Sequence, residues 1–198
     1  MVHILPHWNV ESYGEPVRVW CYTNCEEVEL FLNGHSLGRQ RVEKYTHLEW
    51  LVDYEPGRIE AVGYVNGKAV ANEAHETAGA PARLMLRLEN TVECANDVAI
   101  LTCYAVDAQG RVVPNATPFV EFHTNAVGKI LGTGSDICDH SPLPEPKRQM
   151  REGAISLAVG IATSRGKRAC PAGVIEVYAK ADGLQGAKLT IPFGGIEK

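Results

Sequence analysis

The chain has 198 residues, 45% hydrophobic and 22% charged, and 19 Lys+Arg against 24 Asp+Glu leave a formal net charge of −5. That is a globular composition, which excludes bulk disorder, and its acidic balance argues against a nucleic-acid or anionic-membrane partner, because neutralising phosphates needs a basic patch. No apolar run reaches the ~18 residues of a spanning helix, so no membrane partner is expected, and the opening MVHILPHWNV lacks the basic and apolar regions of a signal peptide.

In chain order the pattern reads as all-β, with alternation in place of any sustained 3.6-residue period. Val17 to Thr23 alternates branched residues with Arg18, Trp20 and Tyr22. Val28 to Leu32 is the next strand, and Asn33-Gly34 favours a tight hairpin into Ser36 to Arg41. His47 to Val52 carries Trp50, Pro56-Gly57 makes a turn, and Arg58 to Val65 pairs with Lys68 to Thr77 around Asn66-Gly67. A domain boundary is placed in Ala78-Gly79-Ala80-Pro81, giving domains of 1–79 and 80–198.

The second part continues with Ala82 to Leu88, Val98 to Asp107, Phe119 to Thr124, Lys129 to Gly134, Ile155 to Thr163, Gly173 to Ala181 and Lys188 to Phe193. Residues 135–152 form a long polar stretch with Pro142, Pro144 and Pro146, expected as a loop. The fold expected is two tandem immunoglobulin-like β-sandwiches, without the Cys…Trp…Cys core of antibody domains.

Six cysteines (21, 25, 94, 103, 138 and 170) read as free, mostly buried thiols, with Cys94–Cys103 the one pair worth testing as a disulfide. The seven histidines show no zinc spacing, and no metal or other cofactor is expected. Trp8, Trp20 and Trp50 have faces that suit a pyranose, with core packing as the alternative. Alternation puts Trp20 opposite the branched face of its strand, and Trp8 precedes the first expected strand, where it could pack on a neighbouring domain. The run Ser135 to His140 gathers Asp136, Asp139 and His140, which could bind a sugar hydroxyl or a cation, although no calcium-loop spacing is present. The candidate carbohydrate-binding set is therefore Trp8, Trp50, Asp136, Asp139 and His140. For catalysis there is no GxSxG, no phosphate-cradling glycine loop, and no carboxylate pair to choose among Glu26, Glu27, Glu29 and Glu49.

Specific blocks carry a resemblance. They are His3-Ile4-Leu5-Pro6-His7-Trp8-Asn9, Tyr22-Thr23-Asn24, Val28 to Gly34 with Ser36-Leu37-Gly38, Tyr54 to Gly57, Ala61-Val62 and Thr77-Ala78-Gly79. Through them the first ~80 residues resemble the domain that follows the catalytic barrel in bacterial family 2 glycoside hydrolases of the β-galactosidase type. Asp107 to Pro114, Ile130-Leu131-Gly132 with Gly134 and Asp136, Ala172-Gly173 and Gly183-Leu184 resemble the Ig-like C-terminal module of the same enzymes. The loop at Gly134-Ser135-Asp136 departs from the family's usual run by one missing glycine.

The resemblance implies that the two catalytic glutamates sit on a barrel outside this sequence. It implies that His3 to Trp8 is the linker leaving that barrel, that Met1 is an added start, and that the chain is a non-catalytic C-terminal piece. The partner implied is the enzyme's own barrel, with an exposed apolar patch near Trp8 where the two would meet, and the implied location is a periplasm or cell surface. The alternatives are a carbohydrate-binding module for galactose-containing glycans and an adhesin-like Ig pair.

Overall fold

The computed structural model describes residues 1–10, 14–92, 97–135, 147–161 and 173–193. All its regular structure is β-strand, and the chain divides into two units, Met1–Ala78 and Gly79–Lys198.

Among the described residues the first unit has seven strands: β1 Val2–Leu5, β2 Val17–Thr23, β3 Glu27–Leu32, β4 His35–Arg41, β5 Leu48–Val52, β6 Arg58–Val65 and β7 Lys68–Glu76. They form two antiparallel sheets, β1-β2-β5 and β4-β3-β6-β7. Alternation turns one face of each sheet inward. Val2, Ile4, Val19, Cys21, Leu48, Trp50 and Val52 line the inner face of the three-stranded sheet, and Val28, Leu30, Leu32, Ile59 and Ala61 that of the four-stranded one. Both short hairpins turn as their sequences demand: Asn33 and Gly34 have φ of 51° and 82°, and Asn66 and Gly67 have 51° and 73°. Two consecutive left-handed residues match the twist of the flanking strands.

The expected linker is a correction. Val2 to Leu5 is strand β1, paired antiparallel to β2 with Ile4 opposite Cys21. Four residues with only Val2 and Ile4 facing inward make too short a pattern to read. Glu73 of β7 reaches the strand, accepting the Ile4 backbone N–H at 2.8 Å and lying 3.3 Å from the His3 ring. That carboxylate satisfies a backbone donor that β2 leaves unpaired, and so closes one seam of the sandwich.

Among the described residues the second unit has eight strands: β8 Arg83–Leu88, β9 Ala99–Val106, β10 Phe119–Thr124, β11 Gly128–Gly134, β12 Lys147–Gln149, β13 Ala154–Ile161, β14 Gly173–Lys180 and β15 Ala187–Phe193. The sheets are β11-β13-β9-β8 and β12-β10-β14-β15. Leaving β12 aside, lettering these strands A to G in chain order gives D-E-B-A facing C-F-G, the immunoglobulin pairing. The core holds Leu101, Cys103, Ile155, Leu157, Phe122, Ile175, Val177 and Ile191, all buried.

The polar stretch 135–152 is also corrected in part, because its end forms β12 on the edge beside β10. The inward residue of β12 is Arg148, whose Nε donates to Thr133 Oγ1 at 2.8 Å in a buried position. A strand that turns a hydrogen-bonded guanidinium inward has no apolar alternation to announce it.

Asp107 directly follows β9 and is 1% exposed. Its carboxylate accepts the backbone N–H groups of Gly79, Gln109 and Arg111 at 2.9–3.0 Å and the Arg111 Nε at 2.8 Å. Burial pushes this carboxyl up, but the Gly79 and Arg111 backbone donors and the Arg111 guanidinium outweigh it and hold it well below the usual carboxylate range.

Candidate interaction surface

The outer face of β1-β2-β5 is unlike an ordinary solvated sheet. Register puts Leu5, Trp20 and Glu49 in one row across the three strands, with Arg18 opposite Leu51 and His3 opposite Tyr22. His47, just before β5, lies beside both rings: its centroid is 4.9 Å from that of Trp20 and 5.6 Å from that of Tyr22. Leu5, Tyr22 and Leu51 are exposed, Leu51 at 66%. The face thus joins three neighbouring rings to two exposed leucines on one sheet.

The rings are held in place by polar groups at their margin. Trp20 Nε1 donates to Glu49 Oε2 at 2.9 Å, and Arg18 Nε lies 3.5 Å from Glu49 Oε1. An indole fixed in this way presents its face with little rotamer entropy left to lose on contact. Trp, Tyr and Arg are also the side chains that dominate protein interfaces.

The expected carbohydrate set is not gathered here. Trp8 is 1% and Trp50 7% exposed, and both belong to the core of the first unit. Trp8 packs 5.3 Å from the Tyr54 ring and donates its Nε1 hydrogen to Glu55 O at 2.9 Å. Neither ring offers a free face for a sugar, so their role as platforms is corrected to core packing, and Trp8 itself presents no exposed apolar patch. Asp136, Asp139 and His140 lie outside the described residues. Trp20 and Tyr22 stand instead on the outer face of their sheet. Their signal was present in the alternation, which sets them with Arg18 on the side opposite Val19 and Cys21.

Cys103 is a free, buried thiol, so the Cys94–Cys103 pairing is not formed; Cys94 itself lies outside the described residues. Cys21 and Cys25 are likewise free and buried. Glu29 is engaged by Ser36 Oγ at 2.6 Å and Tyr64 Oη at 3.1 Å, and Glu27 pairs with Arg39 at 2.6 Å. Among the described residues no group of three or more His, Cys, Asp or Glu is placed to hold a metal ion.

Comparison with known proteins agrees with this architecture. Residues 14–71 match a domain of unknown function, and residues 84–190 match glycoside hydrolase family 2 C-terminal domain 5. A β-galactosidase of Bacteroides ovatus is 31% identical over 195 residues, which cover 96% of this chain and 22% of that protein. A putative β-glucuronidase of Formosa agariphila is 40% identical over 131 residues, 62% of this chain and 13% of that protein. A β-glycosidase structure from Bacteroides vulgatus superposes with a TM-score of 0.86 at 30% identity, covering 96% of this chain and 24% of that one. The chain therefore spans less than a quarter of each of these relatives. With more than half of its residues inside the family match, the chain belongs to the C-terminal domains of family 2 glycoside hydrolases.

Proposed function

We propose that this chain is a non-catalytic accessory region of a family 2 glycoside hydrolase, and that the outer face of β1-β2-β5 docks against the catalytic part of the same enzyme. The observation that carries the reading is the row of Leu5 and half-buried Trp20 with Tyr22, His47 and Leu51 exposed around it on one sheet face. Such a cluster costs solvation unless something covers it. The occupant proposed is the rest of the enzyme, because most of the relatives' length lies outside the region they share with this chain.

The reaction assigned to the whole enzyme is hydrolysis of a β-galactoside. The relative named a β-galactosidase matches nearly the whole chain at 31% identity, whereas one named a β-glucuronidase matches to the same extent at 27%. Substituting Trp20→Ser and Leu51→Ser together in the full-length enzyme tests the docking reading. The expected result is a fall in Tm for the enzyme that exceeds the fall in the isolated chain's own Tm, since the chain alone loses only the Trp20–Glu49 hydrogen bond and its local packing. Equal Tm values for the substituted and native enzyme contradict it. Assays with nitrophenyl β-galactoside and β-glucuronide test the substrate.

A further inference from the structure

A second feature, independent of the docking face, lies in the second unit. A cleft of about 460 Å³ is lined by Phe119 and Glu121 of β10, Lys147 of β12, Lys180 at the end of β14, and Asp182 and Leu184 of the turn that follows. Phe119 is 56% exposed. Register sets Glu121 opposite Lys147 on one side and opposite Lys180 on the other. Glu121 is also 3.3 Å from the His123 ring, while neither lysine has a carboxylate within ion-pair distance among the described residues.

The chemistry of this lining is specific. Two ammonium groups supply donors, two carboxylates supply acceptors, and the four formal charges cancel. A cleft of that kind gives no net attraction to an anion or a cation. It suits a neutral molecule with many hydroxyls, since carboxylates accept from hydroxyls and ammonium groups donate to their oxygens. The exposed phenyl ring adds an apolar surface that matches the C–H face of a pyranose. The volume accommodates a sugar of one or two rings.

We propose that the cleft beside Phe119 is a binding site for a neutral pyranose, with Phe119 as the stacking platform and Glu121, Asp182, Lys147 and Lys180 as its hydroxyl partners. The site is shallow and open, so binding is weak, in the millimolar range, and serves to hold a glycan chain and not a free monosaccharide.

None of the three tryptophans lines this cleft, so their fluorescence does not report on it directly. Saturation-transfer NMR and calorimetry on the full chain, with galactose, lactose and glucuronic acid as probes, do. The expected result is saturable binding of lactose, with galactose weaker and glucuronic acid no better than galactose. Phe119→Ala should weaken lactose binding at least tenfold, and Glu121→Gln several-fold. Both positions are exposed, and an unchanged Tm in each variant shows that the fold is intact. Absence of lactose binding, lactose binding unchanged in Phe119→Ala, or a marked preference for glucuronic acid each overturns the proposal. Lactose binding that is lost instead in Trp20→Ala places the sugar on the first unit and overturns it as well.

Discussion

Trp20 and Glu49 face each other across β2 and β5, and the indole Nε1 donates to the Glu49 carboxylate at 2.9 Å. This contact fixes the largest ring of the outer face. Glu49→Ala should free the indole, lower its fluorescence anisotropy and leave the fold in place. The cost to the isolated chain is about 0.5–1.5 kcal/mol, the net worth of one half-exposed hydrogen bond. Urea unfolding of the variant beside the parent chain measures it.

Trp8 and Trp50 allow a comparison of two buried indoles in one core. Trp8 Nε1 is bonded to Glu55 O, whereas Trp50 Nε1 is buried with no hydrogen-bond partner among the described residues. Replacement by Phe removes the same volume at each site. Trp8→Phe loses a hydrogen bond and Trp50→Phe does not, so Trp8→Phe should be the more destabilising by about 0.5–1.5 kcal/mol. Trp8→Ala should cost about 3–5 kcal/mol. Chemical denaturation of the three variants checks the order.

Asp107 gives a pH dependence of defined sign. Its carboxyl titrates below the ordinary range in the folded chain, so protonation favours the unfolded state. Its stabilising effect is fully present above the ordinary aspartate pKa of about 3.9 and is lost as pH falls from there toward the depressed folded value. Asp107→Asn should lower the Tm at pH 7 and flatten its fall below pH 4. Thermal melts across that range decide the point, and parallel curves for both proteins would contradict the assignment.

The buried thiols predict slow chemistry. Desolvation pushes Cys103 up to about 12 and Cys21 up to about 11. The thiolate is the reactive form, so both should resist iodoacetamide at pH 8 in the native chain and react on unfolding. Peptide mapping of the labelled protein reads each position separately.

How much of this was legible in the sequence depended on which side chains faced inward. Strands such as Arg58 to Val65 and Phe119 to Thr124 alternate apolar with polar residues, and their pairing partners follow from Asn-Gly turns or from the Ig pairing. Strand β1 was hidden by its length and β12 by Arg148, because period-2 reading needs several apolar positions in succession. For the interaction surface, alternation already placed Trp20 and Tyr22 outward. Proximity of Leu5 and His47 was not readable, since it depends on the lateral order β1-β2-β5. Burial of Trp8 was hidden for a related reason: its pocket is made by Tyr54 and Glu55, far away in the chain.

The most direct test of the account is association in trans. The chain is mixed with the catalytic remainder of its glycosidase, expressed without this region, and followed by light scattering and by thermal melts of the mixture. The account predicts a one-to-one complex, a higher Tm for the catalytic remainder, and loss of both effects when the chain carries Trp20→Ser and Leu51→Ser. No complex, or a complex equally strong with the substituted chain, would contradict a docking role for the outer face of β1-β2-β5.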